Sequence, residues 1–217
     1  MKHVLYPLFA AAVCAGALPA AAQDWSGNWG GVALGYGSGT YDQGVSDLNE
    51  GGPSVDVDGA LIGLQYLRNI QSGNAVYGFD VGVSTGPSGT TAQGTLGPSW
   101  SCGSGDCNVD IQSLITLRGR YGVLVNPETL AYGVGGLAVG SIDGGIYNSP
   151  QQGSSTAVGY TIGVGVERMF SENRTIFGEV NYVDLGTIDF GRGGSPRDVY
   201  DGEGDFTTIK IGMNFRF

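Results

Sequence analysis

Apolar and polar residues alternate with a period of two along most of the chain after residue 25. The last run carries Ile209, Ile211, Met213, Phe215 and Phe217 on one face, and polar residues or glycine between them. Because successive side chains of a β-strand point to opposite faces, the pattern predicts strands with one apolar face each.

Eight such runs are separated by residues that favour turns, and we predict eight strands. The predicted strands cover residues 29–41, 53–67, 75–85, 109–124, 130–142, 156–170, 175–187 and 205–217. The fifth run has apolar residues on both faces, and the seventh loses its alternation near Asp184. The chain is predicted to be all-β.

Short and long connections alternate along the chain. The long ones, 42–52, 86–108, 143–155 and 188–204, are rich in Gly, Ser, Asp and Pro. Transmembrane β-barrels alternate in this way, with short turns in the periplasm and longer loops outside the cell. An even number of strands places both chain ends on the periplasmic side.

The polar face decides between two kinds of barrel. A soluble ligand-binding barrel such as a lipocalin turns its apolar face inward, whereas a membrane barrel turns it toward lipid. Here the polar face is mostly small residues, and only one lysine, Lys210, follows residue 22, so a water-facing exterior is not expected. Residues 23–217 are therefore predicted to form an eight-stranded antiparallel transmembrane up-and-down β-barrel.

The first 22 residues have the features of a secretory signal peptide. Lys2 and His3 precede an apolar run to Leu18, and small residues follow up to Ala22. The run is short for a transmembrane helix, and Cys14 lacks the flanking residues of a lipoprotein signal. We expect cleavage after Ala22 and export to the outer membrane of a Gram-negative cell.

Composition excludes several classes of protein. Glycine contributes 41 of 217 residues without a Gly-X-Y period, so a collagen-like fold is not expected. The net charge of −10 would repel phosphate backbones, and no nucleic-acid partner is expected. Cys102 and Cys107 are predicted to form a disulfide, because after residue 22 neither a histidine nor a further cysteine is available for a metal or redox site.

The sequence gives little support for catalysis. The only histidine, His3, lies in the predicted signal peptide. The predicted mature chain therefore has no imidazole for a Ser-His catalytic pair or for binding a metal or haem. We expect no enzyme activity, no cofactor and no metal site, and we interpret the acidic residues 198–205 as a solvated surface. Charged residues that alternate onto the lumen side are predicted to form a structural network: Arg118, Arg120, Glu167, Glu179, Lys210 and Arg216.

Aromatic residues near the strand ends favour an interfacial girdle. The candidates for this girdle are Trp25, Trp29, Phe170, Tyr182, Phe215 and Phe217.

Several motifs together resemble a known family. They are Trp25–Gly31 followed by Gly35-Tyr36-Gly37, then Tyr132–Ala138, Glu179–Gly186 and the terminal Asn214–Phe217. In this order they resemble small alphaproteobacterial outer-membrane barrels of the porin-like, outer-membrane-protein-A-type superfamily. The resemblance implies that Phe217 belongs to a signal read by the barrel-assembly machinery.

Three functions are compatible with such a barrel. The first is a structural protein that supports the cell envelope, with a lumen plugged by side chains and with outer-membrane lipid and lipopolysaccharide around it. The second is a surface binding module, an adhesin or receptor of an unidentified ligand, that acts through residues 86–108 and 188–204. The third is a narrow pore.

Overall fold

The computed structural model describes residues 23–45, 50–91, 95–98, 101–102, 106–146, 152–192 and 199–217, so the predicted signal peptide lies outside the described residues. The strands are β1 Gly27–Val45, β2 Glu50–Ser72, β3 Ala75–Ser84, β4 Ser88–Thr90, β5 Cys107–Asn126, β6 Thr129–Ile146, β7 Gln152–Ser171, β8 Arg174–Arg192 and β9 Val199–Arg216. A membrane-spanning helix is not found in these parts of the chain.

The strands close into a ring of eight positions. Each strand runs antiparallel to its neighbours, and β1 pairs with both β2 and β9. The short β4 continues the position of β3, because both pair with β2 and β5. The predicted eight-stranded antiparallel barrel is confirmed.

The ring closes with a stagger. Paired residues followed once around the barrel from Trp29 lead back to Gly39, ten residues further along β1. A stagger of this kind requires tilted strands, typically by about 35–45° from the barrel axis. The tilt and the strand number together give a narrow cylinder.

Most strands are longer than predicted. β2 has 23 residues, whereas a tilted strand crosses a bilayer with about 9–11. The predicted loops 42–52, 143–155 and 188–204 are therefore wrong where the structure describes them, because β-strands occupy most of those residues. Backbone pairing with a neighbouring strand is available to Gly, Ser and Asp as well, so local composition gave a misleading signal.

The two ends of the barrel differ. Two-residue turns at 73–74, 127–128 and 172–173 join strands at one end, here called the short-turn end. The other connections meet at the opposite end, here called the long-loop end. The alternation of shorter and longer connections agrees with the prediction, but three of the longer ones hold fewer residues than predicted.

The outward face forms an apolar band. Leu34, Ile162 and Ile211, for example, are each about 60% exposed, whereas Gly31 and Ala33 point into the lumen. The band comprises Val32, Leu34, Tyr36, Ile62, Leu64, Tyr66, Val81, Val83, Ile115, Leu117, Leu137, Ile162, Val164, Val166, Val180, Ile209 and Ile211. The predicted outward orientation of the apolar face is confirmed.

Toward the long-loop end the pattern inverts. In β2, Ile62 and Leu64 point outward, but Val55 and Val57 of the same strand are buried inside the barrel. The outward residues there, such as Asp56, are polar. An inward apolar and outward polar pattern fits a barrel wall surrounded by water, so the strands continue beyond the apolar band as a soluble-type barrel.

A β-bulge explains the irregular seventh run. The register between β8 and β9 shifts between Asp184 and Thr187, and Gly186 adopts a φ of +64°. The Gly186 amide donates a hydrogen bond of 2.8 Å to the Asp184 carboxylate. The extra residue reverses the alternation, so that Leu185 and then Ile188 both point inward.

The apolar band predicts that the stability lost on introducing a charge depends on how deep in the bilayer the substituted residue lies. Leu34→Arg places a charge at the middle of the band between Ile62 and Ile211, and should lower the free energy of unfolding by about 2–4 kcal/mol. Urea unfolding in lipid vesicles measures this. Ser38→Arg, on the same face of β1 but beyond the band, is the control and should have a small effect. Equal losses would contradict the assignment of the band.

Candidate functional site

The lumen contains two apolar clusters. The upper cluster, near the long-loop end, consists of Tyr41, Val55, Val57, Cys102, Cys107, Val109, Ile111, Leu114, Ala138, Ile142, Ala157, Val183, Leu185, Ile188, Phe190 and Phe206. The lower cluster, near the short-turn end, consists of Trp25, Trp29, Leu67, Val76, Leu130, Tyr132, Val134 and Met169. Charged side chains lie between them.

Arg118 of β5 is the centre of the charged layer. Its Nε lies 2.8 Å from Oδ1 of Asp80 on β3, and its Nη1 lies 2.8 Å from Oε1 of Glu179 on β8. Nη1 also donates a 2.7 Å hydrogen bond to Asn181. All four side chains are buried, so the two carboxylates compensate a charge that would be very costly alone.

A second ion pair lies toward the lower cluster. Arg120 pairs with Glu167, which also accepts hydrogen bonds from Thr175 and, at 2.7 Å, from Asn214. The Arg120 guanidinium lies 3.8 Å from the centre of the Tyr132 ring. Because these groups come from five strands, they join opposite walls of the barrel.

Tyr132 connects the two ion-pair groups. Its hydroxyl donates a 3.0 Å hydrogen bond to Glu179, and its ring makes a cation–π contact with the Arg120 guanidinium. A Cβ at Gly165 would lie 2.5 Å from Cζ of Tyr132, so the absence of a side chain at Gly165 makes room for the ring. The charged layer is therefore one connected network.

Lys210 lies in the same layer without a direct ion pair. It is directly opposite Glu179 in the register of β8 and β9, yet within the described residues no carboxylate oxygen is within 4.0 Å of its amine. It borders a cavity of about 20 Å³ with Gln65, Thr116 and Arg118. Three lumen cations, Arg118, Arg120 and Lys210, balance three lumen carboxylates, Asp80, Glu167 and Glu179.

Arg216 lies apart from this layer. It is at the short-turn mouth, where Nη2 is 3.1 Å from the Asp24 carboxylate and Nη1 donates to the Asp24 carbonyl oxygen at 2.9 Å. The Ser26 amide and Arg216 together lower the pKa of the Asp24 carboxyl. Arg216 thus joins the two ends of the chain rather than the charges at mid-lumen.

Asp80 was not among the residues predicted for the network. It lies on the polar face of β3, directly across from Arg118 in the register. A period-two pattern shows that Asp80 faces the lumen, but it does not show which residue of β5 pairs with it. Only the pairing register between β3 and β5 identifies Arg118 as the partner of Asp80.

The lumen carboxylates Glu167 and Glu179 are held by different arginines. Glu167 contacts Arg120, and Glu179 contacts Arg118. Within the described residues, no group of three or more His, Cys, Asp or Glu side chains is arranged to hold a metal ion.

Cys102 and Cys107 are bonded, with a sulfur–sulfur distance of 2.02 Å. Both lie in the upper cluster and are buried. The Cys107 amide donates to the Thr91 hydroxyl at 3.1 Å. The disulfide thus attaches the connection between β4 and β5 to the apolar interior.

The girdle prediction is wrong for three residues. Trp25 and Trp29 are buried in the lower cluster, and Tyr182 lies beside Tyr160 toward the long-loop end. The alternation of β1 turns Trp29 inward, and Trp25 precedes the strand. The other three predicted residues, Phe170, Phe215 and Phe217, are exposed near the short-turn end. Further exposed aromatic residues there are Tyr66, Tyr77, Phe79 and Tyr121.

Comparisons with known proteins agree with this architecture. The family model described as outer membrane protein beta-barrel domain matches residues 8–217. The chain is similar to a 31 kDa outer-membrane immunogenic protein of Brucella melitensis, with 26% identity over 93% of this chain and 87% of the relative. It is 30% identical to a 22 kDa outer membrane protein of Rhizobium leguminosarum, over 88% of this chain and 80% of the relative.

A solved structure has the same fold. The outer membrane protein OprG from Pseudomonas aeruginosa superposes with a TM-score of 0.57 at 15% identity, over 90% of this chain and 98% of that one.

The buried network predicts that replacing Arg118 lowers the free energy of unfolding far more than replacing the exposed Arg168. Arg118→Met leaves Asp80 and Glu179 buried without their cation and should lower the free energy of unfolding by about 3–5 kcal/mol. Arg168→Met removes a pair with Glu128 whose side chains are 66% and 52% exposed, and should cost less than about 1 kcal/mol. Urea unfolding of both variants in lipid vesicles makes the comparison. Similar losses would show that the network is not an energetic centre.

Proposed function

The chain belongs to the family of outer membrane protein β-barrel domains, and from that premise we propose that it is a structural barrel that supports the outer membrane and does not conduct. We propose that side chains plug its lumen. The observation that carries the proposal is the contact of Arg118 with both Asp80 and Glu179, which links β3, β5 and β8 across the lumen.

The cost of opening the lumen supports this proposal. A continuous water path would have to disrupt both apolar clusters and separate buried ion pairs. Exposing one large buried apolar side chain such as Phe190 or Phe206 to water already costs about 1.5–3 kcal/mol, so a spontaneous opening of both clusters would be rare. The same contacts would brace opposite walls of the barrel.

The protein is located in the outer membrane, as its relatives are. We propose that residues 1–22 direct export and are removed after Ala22, and that Phe217 is read by the barrel-assembly machinery. Phe217 is 76% exposed at the end of the last strand, where an assembly factor has access to it. Lipopolysaccharide would then surround the long-loop end.

We further propose that the protein is not an enzyme. Its only histidine precedes the proposed mature chain. The lumen carboxylates Glu167 and Glu179 are each neutralised by an arginine, and their other described contacts are structural hydrogen bonds from hydroxyl and amide groups.

Single-channel recording in planar bilayers tests the plugged lumen. The purified protein should produce no discrete current steps, while a general porin reconstituted in the same way serves as the positive control. Steps that change in size with Arg118→Gln or Glu179→Gln, but not with Arg168→Gln outside the lumen, would overturn the proposal and establish a narrow pore.

Thiol labelling of intact cells tests the orientation. Ser154 and Ser72 are exposed and lie near opposite ends of the barrel, so Ser154→Cys and Ser72→Cys are a matched pair. An impermeant maleimide should label Ser154→Cys on intact cells and Ser72→Cys only after lysis. The "immunogenic" name of the Brucella relative supports a surface-exposed long-loop end. The reverse labelling pattern would contradict it.

A further inference from the structure

The segment before β1 contributes to the lower lumen although it lies outside the strands. Residues 23–26 belong to no strand, and the pairing of β1 with β2 begins at Gly27. Yet Trp25 of this segment is fully buried and belongs to the lower cluster. Part of the lumen is therefore filled by a short segment that takes no part in the strand pairing of the barrel wall.

Gly27 turns this segment across the mouth. Its φ of +134° lies in the region that side chains disfavour, and a Cβ there would lie 2.9 Å from Nε of Arg216. A glycine at this position lets the chain leave the line of β1 and pass over the lumen.

Contacts with three places on the rim hold the segment in position. The Trp25 amide donates to Oε1 of Gln71 at 2.8 Å, at the end of β2. Its indole N–H donates to the Pro127 carbonyl oxygen at 3.2 Å, in the turn between β5 and β6. Asp24 is held by Arg216 of β9. The contacts reach three separate places on the rim, and none of them is a strand pairing.

The lower cluster that contains Trp25 has both apolar and charged neighbours. Leu67, Val76 and Leu130 belong to it, and its Tyr132 ring lies against the Arg120 guanidinium. Nε of Arg120 is buried without a hydrogen-bond partner among the described residues. Departure of Trp25 would give periplasmic water a path toward this partly unsatisfied charge, which lowers the cost of exposing the lower lumen.

We propose that residues 23–26 are a detachable plug of the periplasmic mouth, and that release of Trp25 opens the lower lumen as far as Arg120 while the upper cluster keeps the outer side closed. The barrel would then be a chamber open on one side. The inference rests on the proposed function in one respect, that the upper lumen stays filled.

Two buried reporters test the plug in protein extracted from outer membranes and reconstituted in vesicles. Val76→Cys reports on the lower cluster and Val183→Cys on the upper cluster; both positions are buried, and cysteine is close to valine in size. The native cysteines are joined in a disulfide, so the engineered thiol is the one that reacts. The readout is the rate of modification by a small methanethiosulfonate reagent.

With Trp25 present, both thiols should react slowly. Trp25→Ala should accelerate modification of Val76→Cys by at least about tenfold and leave Val183→Cys slow, because opening is local. Trp25→Phe keeps most of the ring volume but loses the bond to Pro127, and should give a smaller increase. Retention of the heat-dependent mobility shift in electrophoresis verifies that each variant is folded.

Other outcomes separate the two proposals. If Val76→Cys stays slow in the Trp25→Ala background, other residues seal the mouth and the plug inference is overturned. If both reporters accelerate together, Trp25 belongs to the common core and is not a separate plug. If Val183→Cys is already fast with Trp25 present, the filled upper lumen, and with it the proposed function, is wrong.

Discussion

The constraint on which the rest of the structure depends is the absence of water in the core of a bilayer. Backbone amides and carbonyls there must find partners within the protein, and a sheet satisfies all of them only when it has no edge. The pairing of β1 with β9 achieves this closure. Eight positions and a stagger of ten residues then set the diameter, and a cylinder so narrow brings opposite walls within reach of side chains.

The content of the lumen follows from that diameter. Charges on the inward face have little water around them, so each must pair or incur a large desolvation cost. Arg118 reaches across to two carboxylates, and Tyr132 links this group to Arg120. Gly165 makes the contact possible because it leaves room for the Tyr132 ring. The ion pairs, the aromatic contact and the glycine therefore depend on one another in the packing of the lumen.

The same strands are surrounded by hydrocarbon along one part of their length and by water along another. Within the apolar band, side chains such as Leu64 face hydrocarbon, and the polar positions face inward. Further along β2, Val57 faces inward and Asp56 outward. The inversion explains why some runs carry apolar residues on both faces and why a single inside–outside rule cannot hold along a whole strand. In β8 the bulge at Asp184–Gly186 additionally shifts the alternation by one residue, so that Leu185 before it and Ile188 after it both face inward.

The sequence by itself determined the eight strand positions, their apolar faces, the alternation of turns and the lumen side of Arg118 and Glu179, because these depend on a local period of two. Only the tertiary structure decided that Asp80 pairs with Arg118, that Arg216 binds Asp24, that Trp25 and Trp29 are buried, and that strands continue through the predicted loops. Those features depend on which distant residues meet across the ring. Register and closure fix such contacts, and neither is encoded in the neighbours of a residue along the chain.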